Sequence, residues 1–310
     1  MALTAGVDLG GTKILAALVD DNHDVIAEQK VPTPADGPES VVEAIRTAVE
    51  ALPERPDTVG IGAPGPVHDG VVKIAPNLPG WDRPVPLAEQ LSKALGLQVV
   101  VDNDATVGAL GEFVAGAGRG ARNLLGVWIG TGVGGGLVLE GRAYRGSFGG
   151  AGEFGHMVVR QGGQRCNCGR RGCLEAYAGR ASMERAVSTL VAAGAQTALT
   201  RIAAEKNKSQ LTSSVWKRAL SEGDPIANQL LDEAVSAVSI GVANAVNLLD
   251  LDRVVIGGGF AEALGQPLAD RIAQAARPYF LVGDADRDVV VAELVDTAGV
   301  VGAAALARQS

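Results

Sequence analysis

The 310 residues carry a formal net charge of −8 and are 47% apolar but only 4% aromatic, a globular composition with no broad basic field for nucleic acid or anionic lipid. The length suffices for two hydrophobic cores, and large ligand sites commonly lie where two domains meet. A polyanionic ligand must then be held by local groups, and 42 glycines offer many places where backbone can approach one.

The first apolar stretch, TAGVDL, runs into Gly10-Gly11-Thr12 and then ILAALVD, which reads as strand, glycine turn, strand. Asp8 and Lys13 interrupt this stretch and no basic leader precedes it, so the expectation is no secretory signal and a cytoplasmic location. Helical patterns follow at 40–52, 86–95 and 104–115, with apolar strands TVGIGAPGPV and QVVVD between them. A Gly/Ala/Arg-rich segment at 116–122 marks a change of domain. The strand, turn, strand design then returns over 124–140 as LLGVWI, GTGVGGG and LVLE. Another helix is predicted at 180–193, and a long one after Asp224-Pro225, where Asp caps and Pro suits the first helical position. Its uncharged run, 234–249, is too short to span a bilayer and contains Asn244 and Asn247, so it reads as a buried helix and not as a membrane anchor. RVVIGGGFAE repeats the earlier strand running into a glycine loop, which makes the two halves related, and an apolar helix at 296–307 closes the chain.

Asp8 with Gly10, Gly11, Thr12 and Lys13 places a carboxylate at a strand end beside flexible backbone, an arrangement suited to phosphate and hydrated Mg2+. Gly130, Thr131 and Gly132 repeat it, and two such turns facing each other can hold a triphosphate without a basic surface. Either turn alone also fits an ordinary hairpin. Gly130, Gly132 and Gly135 satisfy GxGxxG, but LVLE continues as strand where a dinucleotide motif opens a helix.

His156, Cys166, Cys168 and Cys173 fall within eighteen residues, and four such N/S ligands make a closed structural zinc site. An odd number of crowded cysteines is a poor plan for disulfides and suits a reducing compartment. His23 and His68 receive no role.

DLGGTK, GAPGPV, NLPGW, DNDA, GTGVGGG, GEFGH, CNCGRRGCLE and IGGG occur in this order over nearly the whole chain. In these motifs the sequence resembles the ROK family of bacterial sugar kinases and repressors, in its zinc-containing, glucose-phosphorylating branch. The resemblance implies an α/β, two-domain actin-like ATPase (ribonuclease H-like) fold with an interdomain cleft. The expected domains are 1–118 plus 297–310, with the last helix packed back on the first domain, and 119–296. A homodimer or homotetramer is implied, with sugar and nucleotide as ligands and no nucleic acid or membrane partner.

Carried over residue by residue, the resemblance implies sugar contacts from Asn77, Asn103, Asp104, Glu153, His156 and Glu175, with Gly65 close through its backbone. It makes Asp104 the base that accepts the proton of the attacking hydroxyl. Asp104 read alone serves equally as a helix cap, since it follows a strand and opens a helical pattern. Gly257, Gly258 and Gly259 would pass close to adenosine. The implied reaction is ATP:D-glucose 6-phosphotransfer. Another hexose, an N-acetylhexosamine or polyphosphate as donor remains open, as does, lower in rank, a sugar-responsive repressor.

Overall fold

The computed structural model describes residues 3–75, 77–283 and 287–309. The first predicted ribbon forms β1 (Thr4–Leu9) and β2 (Lys13–Val19), an antiparallel pair with Leu9 opposite Ile14 across the turn. Both strands are covered on two faces, which is why they are apolar without alternation. β3 (Val25–Pro32) lies outside β2 and alternates half-buried with exposed residues, as an edge strand does; its polar content hid it among the sequence signals. α1 (Pro38–Glu50) leads to β4 (Thr58–Ala63), which pairs in parallel with β1. A small ribbon of β5 (Val67–His68) and β6 (Val71–Val72) and then α2 (Leu87–Leu95) precede β7 (Gln98–Asn103), parallel to β4. α3 (Asp104–Ala115) follows without a break.

β8 (Leu124–Ile129), β9 (Val133–Leu139) and β10 (Arg142–Ala143) restate the ribbon. Helices α4 (Glu175–Ala178), α5 (Arg180–Ala192), α6 (Ala198–Glu205), α7 (Ser213–Ser221) and α8 (Pro225–Leu249) follow. Asp224 starts two of them: it accepts from Ala227 N at the head of α8 and from Ala198 N at the head of α6, 2.8 and 2.7 Å. β11 (Arg253–Gly257), α9 (Gly259–Leu264), α10 (Gln266–Ala276) and β12 (Asp288–Val291) complete the second set. Among the described residues the sheets run β3-β2-β1-β4-β7 and β10-β9-β8-β11-β12. The strand order is the same in both, so the duplication read from two glycine ribbons extends to sheet topology.

Two compact units are present: Met1–Gly126 with Gly136–Gly152 and Glu293–Ser310, and Val127–Gly135 with Glu153–Ala292. Segment 136–152 groups with the first because Gly136 lies so close to α3 that a Cβ there would stand 2.4 Å from Ala105 O, and because Arg145 binds Asp102 at the end of β7. One face of the first sheet is closed by Ile14, Ile45, Ile61, Leu87 and Leu91. The other is closed by α11 (Ala298–Arg308), which begins after a 3-10 turn at Val295–Thr297, two residues later than its predicted start. Among the described residues no helix is long and apolar enough to cross a membrane.

α11 packs by removing side chains from the contact. A Cβ on Gly6 would lie 1.8 Å from Val300 O, one on Gly60 1.7 Å from Ala303 O, and one on Gly302 1.6 Å from Val107 O. Backbone meets backbone at each point, and neither side can yield as a flexible side chain would. Ala in place of an exposed helical Gly gains about 1 kcal/mol. Gly302→Ala should instead lose about 3 kcal/mol, because overpacking outweighs propensity. Urea unfolding measures this directly; a variant as stable as the parent would show that α11 sits less tightly than described.

Candidate active site

In the first unit, the turn between β1 and β2 is fixed by hydrogen bonds on its carbonyls. Gly10 N–H donates to Lys13 O at 3.0 Å, Thr33 Oγ1 donates to Gly10 O at 2.7 Å, and Thr33 N–H donates to Thr12 O at 3.0 Å. In a trans peptide the N–H opposes the preceding C=O. Gly11 N–H therefore points away from Thr33, and Gly11, Thr12 and Lys13 are exposed. Asp8 sits beneath, its Cγ 3.1 Å from where a Cβ on Gly299 in the first turn of α11 would stand. Burial holds its carboxyl above the ordinary range, with Lys13 opposing the shift and Asp296 adding to it. The backbone of Asn77 borders the same turn, its carbonyl 3.3 Å from a Cβ on Gly11.

Asp104 opens α3, yet the cap of that helix is Asn103, whose side-chain oxygen accepts from Ala105 N and Thr106 N at 3.0 and 3.2 Å. Asn103 Nδ2 donates to Gly65 O and to Asp104 Oδ1, both at 3.0 Å, and Ala105 N also donates to Asp104 Oδ1, at 2.8 Å. Both bonds to the Asp104 carboxylate fall on Oδ1, which orients the group. Asp104 keeps surface open to water but is crowded by protein on most sides. That crowding pushes its carboxyl up to about 6; the Ala105 and Asn103 hydrogen bonds oppose the shift and the charge of Asp8 adds to it. Behind it, Asp102 is buried, accepts from the Asn103 backbone N–H at 2.8 Å and is ion-paired with Arg145.

In the second unit, Gly130 N–H closes the turn on Gly132 O at 2.9 Å. The carbonyls of Gly130 and Thr131 accept from Arg180 N and Ala181 N, both at 3.0 Å. By the same trans geometry the amides of Thr131 and Gly132 face the opposite side together, a nest suited to an anion. Glu175 braces the turn: its Oε2 accepts from Val133 N at 3.0 Å, and a Cβ on Gly132 would stand 2.4 Å from that oxygen. Glu175 Oε1 lies 3.6 Å from Cys166 Sγ, so one carboxylate touches both the turn and the cysteine cluster.

His156, Cys166, Cys168 and Cys173 present ligand atoms all within 4.8 Å of one another. Thiolates about 2.3 Å from a tetrahedral zinc stand about 3.8 Å apart. Cys168 and Cys173 are 3.7 Å apart, and His156 Nδ1 is 3.8 Å from Cys166 Sγ. The donor set and its spacing fit zinc, with Gly169 and Gly172 at positive φ closing the knuckle. Without a cation, burial pushes the Cys166 thiol up to about 12 and raises that of Cys173, so a metal is what would make both thiolates. His156 Nε2 faces Glu153, 4.0 Å from Oε2. Of the three glycines after β11, Gly257 is packed on Trp128, and Gly258 lies against Ile129 at φ 84°. Gly259 alone of the three is open, with nothing within 4 Å of an added Cβ.

The sequence profile of the ROK family matches residues 4–310. The chain belongs to the ROK family. It is 37% identical to a glucokinase of Streptomyces coelicolor, over 100% of this chain and 98% of that one. Two solved ROK structures superpose closely. A ROK hexokinase from Thermus thermophilus gives a TM-score of 0.85 at 35% identity, covering 99% of this chain and 98% of that one. A ROK glucokinase from Streptomyces griseus in complex with glucose and AMPPNP gives 0.83 at 36% identity, covering both chains completely. The expected actin-like ATPase fold is thus the ROK fold of this chain.

Sequence reading missed Thr33, the Asp102–Arg145 pair, Arg180 and the bond from Glu175 to Val133. Each acts across 23 or more residues with no local motif; for Thr33 the signal was a β-edge threonine facing a glycine turn.

Proposed function

We propose that this ROK protein transfers the γ-phosphoryl group of ATP to the 6-hydroxyl of D-glucose, with Asp104 as general base. The carrying observation is that Asn103 caps α3, which frees Asp104, while crowding brings its carboxyl to about 6, basic enough to take a hydroxyl proton and ionised at neutral pH. The proton of O6 passes to Asp104 Oδ2 as the O6–P bond forms and the bond from phosphorus to the departing ADP oxygen breaks. Asn103, Asn77, Glu153, His156 Nε2 and Glu175 grip the other hydroxyls, with the Gly65 backbone nearby. The turns at 10–13 and 130–132 hold the phosphates, and the Gly257–Gly259 loop borders adenosine. Asp8 offers the hard oxygen that suits hydrated Mg2+, which would neutralise charge on the transferring group. His156, Cys166, Cys168 and Cys173 would hold a structural zinc that stiffens the sugar side. In this reading the enzyme works in the cytoplasm as a homodimer or homotetramer, at the start of glucose breakdown.

The glucokinase relatives support glucose over other sugars. The test is a product assay over glucose, mannose, fructose and N-acetylhexosamines, each with ATP and with polyphosphate. Glucose 6-phosphate formed from ATP should dominate; phosphorylation of none of these sugars would sink the reading.

A further inference from the structure

We propose that Arg180 is a further nucleotide-contacting residue, whose guanidinium meets the phosphate chain at the 130–132 turn. This rests on the kinase reading above. Arg180 opens α5, and its backbone N–H already holds Gly130 O, so its position is tied to that turn. Its Nη2 donates to Thr131 Oγ1 at 3.1 Å. The other contacts of the group are long: Nη1 reaches Leu211 O at 3.4 Å and the Glu184 carboxylate only at 3.9 Å.

This is a poor set of partners for a cation with five donors. The Arg180 side chain is 17% exposed, whereas Arg201, at 49%, pairs Glu205 at 2.7 Å. Arg253, at 24%, pairs Asp288 at 2.7 Å. A shielded guanidinium without a close anion is costly unless an anion arrives. The turn it reaches is open at Gly130, where an added Cβ would meet nothing within 4 Å. The first turn carries its own cation in Lys13, while GTG carries none. Arg180 supplies the second turn with that charge, in a fork suited to phosphate oxygens.

The test compares binding of AMP-PNP and of AMP to the full-length protein by calorimetry, with steady-state kinetics alongside. Arg180→Met should weaken AMP-PNP by roughly 10-fold or more, the effect of losing a charged hydrogen bond, and leave AMP and the glucose KM within about 2-fold. If the Met variant does not fold, Arg180→Lys keeps the charge, loses the fork and should show the same asymmetry, smaller in size. Equal weakening of both nucleotides, or of neither, overturns the proposal and makes Arg180 a brace for the 211 loop. A parent protein that binds AMP-PNP but phosphorylates no sugar defeats the kinase reading instead, and leaves the Arg180 comparison readable.

Discussion

Asp104→Asn should lower kcat by roughly 10²–10⁴-fold, the usual contribution of a general base, while the protein melts no lower than the parent. The substitution keeps an oxygen for Ala105 N and Asn103 Nδ2, so the head of α3 is preserved. Only the capacity to take a proton goes. For the parent, activity should fall as pH drops through about 6, where Asp104 protonates. The stability effect has the opposite sign from a salt-bridged carboxylate. A carboxyl raised from 3.8 to about 6 binds its proton more tightly folded than unfolded, so its ionisation destabilises the fold progressively as pH rises from about 4 to about 6. Asp104→Asn removes that term: it should melt higher at pH 7, with the advantage vanishing below pH 4. Near-parental turnover, or a variant less stable at pH 7 than at pH 4 relative to the parent, would refute the role given to Asp104.

Removal of zinc should have the other large effect, and it should reach both substrates. Metal analysis should find one zinc per chain, and Cys173→Ser or a strong chelator should release it, lower the melting temperature and raise the glucose KM by roughly 10-fold or more, as disturbed metal shells do. The ATP KM should rise as well. Glu175 touches Cys166 with one oxygen and holds Val133 N with the other, so a cluster that relaxes lets go of the 130–132 turn. Full activity in protein shown to be metal-free would remove zinc from the account; a change confined to glucose would remove Glu175 as the link.

Much of the fold was legible because its signals are local. Asp224-Pro225 marks the head of α8 with a cap and a ring that fixes φ, and both glycine ribbons declare themselves within seventeen residues. The four candidate metal ligands crowd into one short stretch. DND at 102–104, in contrast, offers three side chains for one cap, and only the fold decides that Asn103 takes it, that Asp102 turns back to Arg145, and that Asp104 is left over. Thr33 and Arg180 act on turns 20 or more residues away, where neither periodicity nor composition points. The return of 136–152 to the first unit hinges on a glycine's fit against Ala105, which a pattern of apolar residues does not record.

The glycine-seated α11 also sets an order of events during synthesis. β1 and β4 leave the ribosome early, with Gly6 and Gly60 already cut to receive a helix that is made only after the whole second unit has been translated. Until then the nascent first sheet shows Leu15, Ala17 and Val19 on an uncovered face, a surface that chaperones recognise and that favours aggregation. Folding of the first unit is therefore completed last, by its most distant segment, and Asp8 gains the cover of Gly299 only at that moment.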